Sequence, residues 1–235
     1  MKLSLVIPCF NESKSIKSLV DKCLEFNAYQ DVEIIFVDNG SQDDTLEKLQ
    51  KYTPAVTKSK LVHLHKNMGY GGGILEGIKK TTGAYVGWTH ADLQCNPLDA
   101  LKAYRCIKKE KKFFYKGKRF GRPFFDIFFT LGMSYLESFL FKCKLRDINA
   151  QPTIFHRDLF QKYAAKAPND FSLDLYFYVL AIIEKYSVFR FPVHFGKRNF
   201  GKSSWNNGII SRLNFIKRTL RFSFKLKKII TNDHN

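Results

Sequence analysis

The feature that most constrains this chain is a rhythm repeated through its first hundred residues. A short apolar run ends in polar or glycine residues, and a segment with apolar side chains at helical spacing follows. Residues 3–7 form the first run, which ends at Pro8-Cys9-Phe10-Asn11-Glu12. A helix is predicted to begin after Ser13, with Ile16, Leu19, Val20, Cys23 and Leu24 along one face. Residues 32–37 form the second run and end in Asp38-Asn39-Gly40-Ser41, after which Asp43-Asp44-Thr45 opens a helix through Leu46 and Leu49. Residues 61–64 lead into Lys66-Asn67-Met68-Gly69-Tyr70-Gly71-Gly72-Gly73 and a helix through Ile74 and Ile78. Residues 84–87 lead into Trp88-Thr89-His90-Ala91-Asp92-Leu93-Gln94-Cys95-Asn96-Pro97. Strands separated by helices cannot pair as hairpins, so the pattern implies parallel pairing in a doubly wound α/β sheet.

In an open α/β sheet, ligands bind in the crevice beyond the carboxyl ends of the strands. The polar strand ends are therefore the candidate site. If the chain beyond Trp88 is extended, His90, Asp92 and Gln94 face one way while Ala91 and Leu93 face the other. A hard divalent cation that neutralises a diphosphate needs only one or two such protein ligands, the rest being water and phosphate oxygen. One carboxylate taken alone reads more readily as part of a surface turn with an N-cap. The glycine-rich segment is not a Walker A loop, since no Gly-Lys-Ser/Thr follows, and it lacks the acidic residue of a dinucleotide fold. Its glycines suit close backbone approach to an anion at a helix amino terminus, or simply a tight turn.

The 235 residues suit one domain, or one domain with an appendage, and 45% apolar residues exclude a disordered chain. A formal charge of +18 implies an anionic partner. Nucleic acid, a membrane surface and a phosphate-rich substrate all qualify. Five cysteines without a C-x-x-C pair fit free thiols in a reducing compartment. The apolar run at the amino terminus is too short for a signal peptide, and no uninterrupted apolar stretch approaches the roughly 20 residues of a membrane helix. A soluble or peripheral protein is expected.

Taken together, Pro8-x-Phe10-Asn11-Glu12, Val37-Asp38-Asn39-Gly40-Ser41-x-Asp43-x-Thr45, Asn67-x-Gly69-x-Gly71 and Ala91-Asp92-Leu93-Gln94-x-x-Pro97 are far more specific than any one of them. In this order they resemble the family 2 glycosyltransferases with a GT-A fold, and within them the polyprenyl-phosphate glycosyltransferases. The resemblance covers about the first hundred residues. It resumes weakly at Lys116-Gly117-Lys118-Arg119-Phe120-Gly121-Arg122 and more clearly at Pro192-Val193-x-Phe195-x-x-Arg198-x-x-Gly201-x-Ser203.

The resemblance implies a GT-A domain over 1–205, with a membrane-interface helical segment at 123–143, followed by a basic amphipathic helix and tail over 206–235. It implies transfer of a sugar, with inversion, from a GDP- or UDP-sugar to a polyprenyl phosphate on the cytoplasmic face of a membrane, with a membrane partner subunit a possible addition. The nucleotide sugar would be held by Pro8, Phe10, Glu12, Asp38, Asn67, Gly69, His90, Ala91 and Asp92. Mg²⁺ or Mn²⁺ would be held by Asp92 and Gln94, with His90 beside them. Arg119, Arg122, Arg198, Lys202 and Ser203 would bind the acceptor phosphate. Asp92 and the three arginines carry the catalytic charge. Two departures stand out: the family usually has Asp-Asp where this chain has Asp38-Asn39, and Asp-Ala-Asp where it has His90-Ala91-Asp92.

A lipid phosphate is already anionic near neutral pH and needs no strong base. What such a reaction needs is cations that bring two anions together. A sugar hydroxyl as acceptor would instead require a carboxylate base. Asp147 is the candidate, although a partner for Arg146 or a helix-end charge is the favoured reading of it. The aromatic segment 123–143 reads either as an interfacial helix or as a core helix over the sheet, with Asp126 and Glu137 arguing against a full span. From 209 to 230, Ile209, Ile210, Leu213, Ile216, Leu220 and Phe224 recur at helical spacing among Arg212, Lys217, Arg218, Arg221, Lys225, Lys227 and Lys228, as in a basic amphipathic helix. A non-enzymatic protein binding nucleic acid or membrane by charge alone would leave the polar strand ends unexplained, and no nucleic-acid partner is expected.

Overall fold

The structure is a computed structural model that describes residues 2–105, 111–196, 198 and 209–233, without the side chains of 209–213, 215 and 231–233. The predicted alternation forms. Strand β1 (Leu3–Cys9) is followed by α1 (Ile16–Cys23), β2 (Val32–Asn39), α2 (Thr45–Tyr52), β3 (Ser59–Leu64), α3 (Gly69–Lys79) and β4 (Tyr85–Trp88). The second half adds α4 (Asp99–Arg105), β5 (Phe113–Phe120), α5 (Phe124–Phe141), β6 (Thr153–His156), α6 (Arg157–Tyr163), α7 (Ser172–Ile183), β7 (Ser187–His194) and α8 (Ile209–Asp233).

These strands form one sheet in the order β3-β2-β1-β4-β6-β5-β7. The four predicted strands are parallel to one another, whereas β6 is antiparallel to both β4 and β5. The sheet is thus α/β and mostly parallel. From β1 the chain steps first to β2 and β3 on one side, then returns to β4 on the other. That reversal opens a crevice at the carboxyl ends of β1 and β4.

Strand alternation divides the core in two. Leu3, Leu5, Ile7, Ile34 and Phe36 pack with α1, α2 and α4 on one face. Val6, Ile35 and Val37 pack with α3, α6 and α7 on the other. Covered on both faces, β2 is buried along its whole length, which explains its apolar run from Ile34 to Val37.

The two segments read as interfacial both become helices. By length and composition α5 is apolar enough to cross a membrane, and only 11% of it is buried. The sequence reading anticipated no such stretch, because Asp126 and Glu137 interrupt it. In the fold Glu137 is turned wholly inward against α8, where its Oε1 accepts from Ser223 Oγ at 2.8 Å. Phe128, Tyr135 and Phe139 point outward, at 71%, 79% and 80% exposure. In α8, Thr219, Ser223 and Leu226 are buried, whereas Phe224, which belongs to the expected apolar stripe, is exposed.

Candidate active site

Three of the strand ends are braced against one another. After β1, Asn11 takes a left-handed backbone, its N–H donates to Ser41 Oγ at 3.1 Å, and its Oδ1 accepts from Gln42 N at 2.8 Å. Glu12 N donates to Thr45 Oγ1 at 2.8 Å and Ser13 N to Asp43 Oδ2 at 3.2 Å. The Asp43-x-Thr45 pair, read in the sequence as a helix start, therefore also fixes the loop that carries Phe10 and Glu12.

Asp38 ends β2 fully buried, and its Oδ2 lies 2.8 Å from Nδ1 of His63, its register partner on β3. Its Oδ1 accepts from Ser41 N at 3.3 Å. Sequence reading missed His63, although it stands within the β3 run; only strand register reveals the pair. Asn39 accounts for the first departure from the family pattern. Its Nδ2 donates to Gly69 O at 2.9 Å while its Oδ1 accepts from Met68 N at 3.0 Å. A carboxylate cannot donate, so only an amide makes both bonds.

The glycine-rich segment opens α3, and Asn67 Oδ1 accepts from Gly69 N at 2.8 Å. What approaches the glycines closely is the protein's own chain. A side chain at Gly69 or Gly71 would collide with the backbone of residues 168–170, and Gly72 N donates to Asn169 O at 3.1 Å. The expected anion cradle is occupied here by a carbonyl.

Beyond β4 the chain turns rather than extends, with Leu93 in a left-handed conformation and Ala91 in the core. His90, Asp92 and Gln94 nevertheless line one pocket, together with Arg119 and Arg122. Asp92 Oδ1 accepts from Gln94 N at 3.1 Å. Gln94 Nε2 donates to Gly196 O at 3.1 Å, which ties this turn to the segment after β7. That tie brings in Arg198, whose guanidinium pairs with Glu12 Oε1. Burial raises the Glu12 carboxyl above its ordinary value, against the opposing pull of Arg198. Pro8 lies at the end of β1 and Phe10 just past it, 40% exposed. Lys202 and Ser203 lie outside the described residues.

Burial outweighs the attraction of Asp92 and Asp174 and holds the His90 imidazole below its ordinary value, so it is neutral near neutral pH. Asp92 with a neutral imidazole and an amide beside it is a donor set that fits a divalent cation carried in by phosphate. Among the described residues no three His, Cys, Asp or Glu side chains form a complete cage.

Beneath this turn lies a polar network that sequence reading missed. Lys116 Nζ donates to Asp174 Oδ1 and to Thr153 Oγ1, both at 2.9 Å, and Tyr70 Oη donates to Asp174 Oδ2 at 2.8 Å. Asp147 pairs with Arg119, not with the adjacent Arg146. Phe129, Met133 and Ile148 line the same pocket, so apolar side chains stand beside its charged ones.

The family model of glycosyl transferase family 2 matches residues 4–164. The chain belongs to glycosyl transferase family 2. This family 2 chain is 26% identical over 241 residues to the dolichol-phosphate mannosyltransferase of Pyrococcus furiosus, a match covering 98% of the chain and 67% of that protein. It is 34% identical over 102 residues to the dodecaprenyl-phosphate galacturonate synthase of Rhizobium johnstonii, covering 42% of the chain and 30% of that protein. Among solved structures, it superposes with a TM-score of 0.70 and 17% identity on the glucosyl-3-phosphoglycerate synthase of Mycobacterium tuberculosis in complex with Mn²⁺, UDP and phosphoglyceric acid. That match covers 96% of the family 2 chain and 78% of the synthase, and it establishes a shared GT-A fold.

Proposed function

We propose that the chain transfers a sugar, with inversion, from a nucleoside-diphosphate sugar to a polyprenyl phosphate at a membrane surface. The observation that carries this reading is the lining of the pocket. Asp92, His90, Arg119 and Arg122 share its lining with Phe129, Met133 and Ile148, a mixture of charged and apolar side chains that suits an amphiphilic phosphate. The names of the Pyrococcus and Rhizobium relatives, both of which refer to polyprenyl phosphates, point the same way.

In this reading the donor lies across the ends of β1, β2 and β4. Phe10, Glu12 and Asp38 surround the nucleoside and Pro8 and Asn67 shape its cleft, whereas Ala91 is a core residue and Gly69 packs against Asn169. Asp92 and Gln94, with His90, would hold Mn²⁺ or Mg²⁺, which when bound offsets the charge that grows on the departing diphosphate. Arg119, Arg122 and Arg198 bring the acceptor phosphate to the anomeric carbon by bidentate hydrogen bonding and charge. The phosphate oxygen attacks, the bond to the nucleoside diphosphate breaks, and no protein base is required. Asp147 is unsuited to the alternative role of base for a hydroxyl acceptor, since its oxygens are committed to Arg119. The outward aromatic face of α5 and the exposed Lys217, Arg221, Lys225, Lys227 and Lys228 of α8 would rest on an anionic leaflet.

The test is transfer of labelled sugar from a panel of UDP- and GDP-sugars to dolichyl and undecaprenyl phosphate in detergent, with Mn²⁺ or Mg²⁺ supplied. A labelled lipid product is expected from at least one donor. Labelling of added saccharides, with none of the lipid phosphates, would overturn the acceptor assignment.

A further inference from the structure

Asp147 lies in the irregular segment between α5 and β6, and it reaches two arginines that face the pocket. Its Oδ2 accepts from the backbone N–H of Arg119 at 2.8 Å and its Oδ1 from Arg119 Nε at 2.8 Å. Arg122 Nη2 stands 3.6 Å from the same Oδ1, and Arg122 Nη1 donates to Thr130 Oγ1 on α5 at 2.9 Å. The side chains of Arg119, Arg122 and Asp147 are 9%, 7% and 11% exposed. Arg122 Nε is buried beside the pocket without a hydrogen-bond partner among the described residues.

Two guanidinium groups this close repel, and one carboxylate between them sets their spacing. The carboxylate is itself held from behind: Asp147 N donates to Ser134 Oγ on α5 at 3.1 Å, and Asp147 O accepts from Ala150 N at 2.9 Å. Burial would raise the Asp147 carboxyl, but the charge and hydrogen bonds of Arg119 hold it below the ordinary carboxylate value. It is therefore a weak base whose lone pairs point at arginine.

We propose that Asp147 is a positioning residue that presents Arg119 and Arg122 as one clamp for the acceptor's phosphate group. The inference rests on the polyprenyl-phosphate reading above and adds what orients its cations. Arg119 is pinned by its fork to Asp147, while Arg122, anchored at Nη1, offers its unpaired Nε. Such a clamp favours a phosphate monoester over a neutral hydroxyl.

The test is Asp147→Asn. Asparagine tolerates the left-handed backbone at this position (φ +45°) and keeps both main-chain contacts, so the fold is retained while the charge is lost. Loss of a charged hydrogen-bond partner is expected to raise the acceptor KM about tenfold or more. The Kd for farnesyl phosphate, measured by calorimetry in detergent, should rise in parallel, with kcat and the donor KM changing by less than about threefold. Arg119→Lys, which keeps the charge but loses the fork, should act on the same two quantities. The double variant should be less impaired than the product of the single effects, because both act through one group. A fall in kcat at unchanged acceptor KM, with loss of the acidic limb of the pH profile, would overturn the proposal in favour of a base. Unchanged farnesyl phosphate affinity in both single variants would also overturn it. If farnesyl phosphate binds in an Asp147-dependent way while no lipid phosphate accepts sugar, the clamp stands and the acceptor assignment falls.

Discussion

Lys116 Nζ, with none of its side chain exposed, donates to Asp174 Oδ1 at 2.9 Å and thereby joins β5 to α7 beneath the pocket. Removing one partner of a buried pair strands the other's charge, which typically costs about 3–5 kcal/mol. Lys116→Met should lower the unfolding free energy, read from urea titration, by that amount. Asp174→Asn should cost as much or more, because it also weakens the bonds from Tyr70 and Thr153. A loss below about 1 kcal/mol in both variants would show that the pair is solvated in solution.

Glu33, on β2 away from the site, should make stability depend on acid. Its Oε1 accepts from Ser4 Oγ at 2.6 Å and from Thr82 N and Oγ1 at 2.6 and 2.8 Å. Burial opposes ionisation, but these bonds and Lys2 pull the carboxyl down to about 2. A folded-state value below the unfolded one contributes stability that is complete above the unfolded pKa and is lost as pH falls through the folded value. Chemical denaturation should therefore find Glu33→Gln less stable than the parent at neutral pH by about 1–3 kcal/mol, with the gap closing between about pH 5 and pH 2.

At Gly77 two effects oppose each other. Alanine favours a helix over glycine by about 1 kcal/mol. A Cβ there would, however, meet Val37 Cγ2 at 2.8 Å and press on Val6. Overpacking typically costs about 1–3 kcal/mol, so Gly77→Ala should lower the melting temperature despite the better helix former. A rise in melting temperature would mean that α3 shifts freely away from β1 and β2.

His90→Asp restores the negative charge that the family usually places beside the metal. In the presence of UDP or GDP, Mn²⁺ should bind about tenfold more tightly to this variant, for a gain of about 1.4 kcal/mol. The metal-free variant should lose stability, because the introduced carboxylate repels that of Asp92. Calorimetric titration reads the first effect and thermal melting the second. Unchanged Mn²⁺ affinity would place His90 outside the metal's reach.

Phe128 and Phe139 stand on the outward face of α5 and are largely exposed. Replacing both with Glu should leave the melting temperature within about 2 °C of the parent, as expected of surface substitutions. Sedimentation with vesicles containing anionic lipid should fall sharply. Retained vesicle binding would assign the membrane contact to α8 alone.

The first hundred residues were largely legible without a structure, because strands β1 to β4 are written in local patterns. Apolar runs mark their interiors, and polar ends mark where the chain leaves the sheet. His90, Asp92 and Gln94 do line one pocket, but not through the alternation of an extended chain, because the backbone turns there. The role of Asn39 was not legible: it looked like a missing charge until its amide was seen joining Gly69 and Met68.

The sequence by itself determined the sheet class and the family, and it pointed to the strand ends as the candidate site. Only the tertiary structure decided the pairs: Asp38 with His63, Lys116 with Asp174, Arg119 with Asp147, and Glu137 with Ser223. The reason is physical. Periodicity is a property of neighbours along the chain, whereas a buried charge is neutralised by whichever group strand register and helix packing bring within about 3 Å, at separations local pattern does not encode.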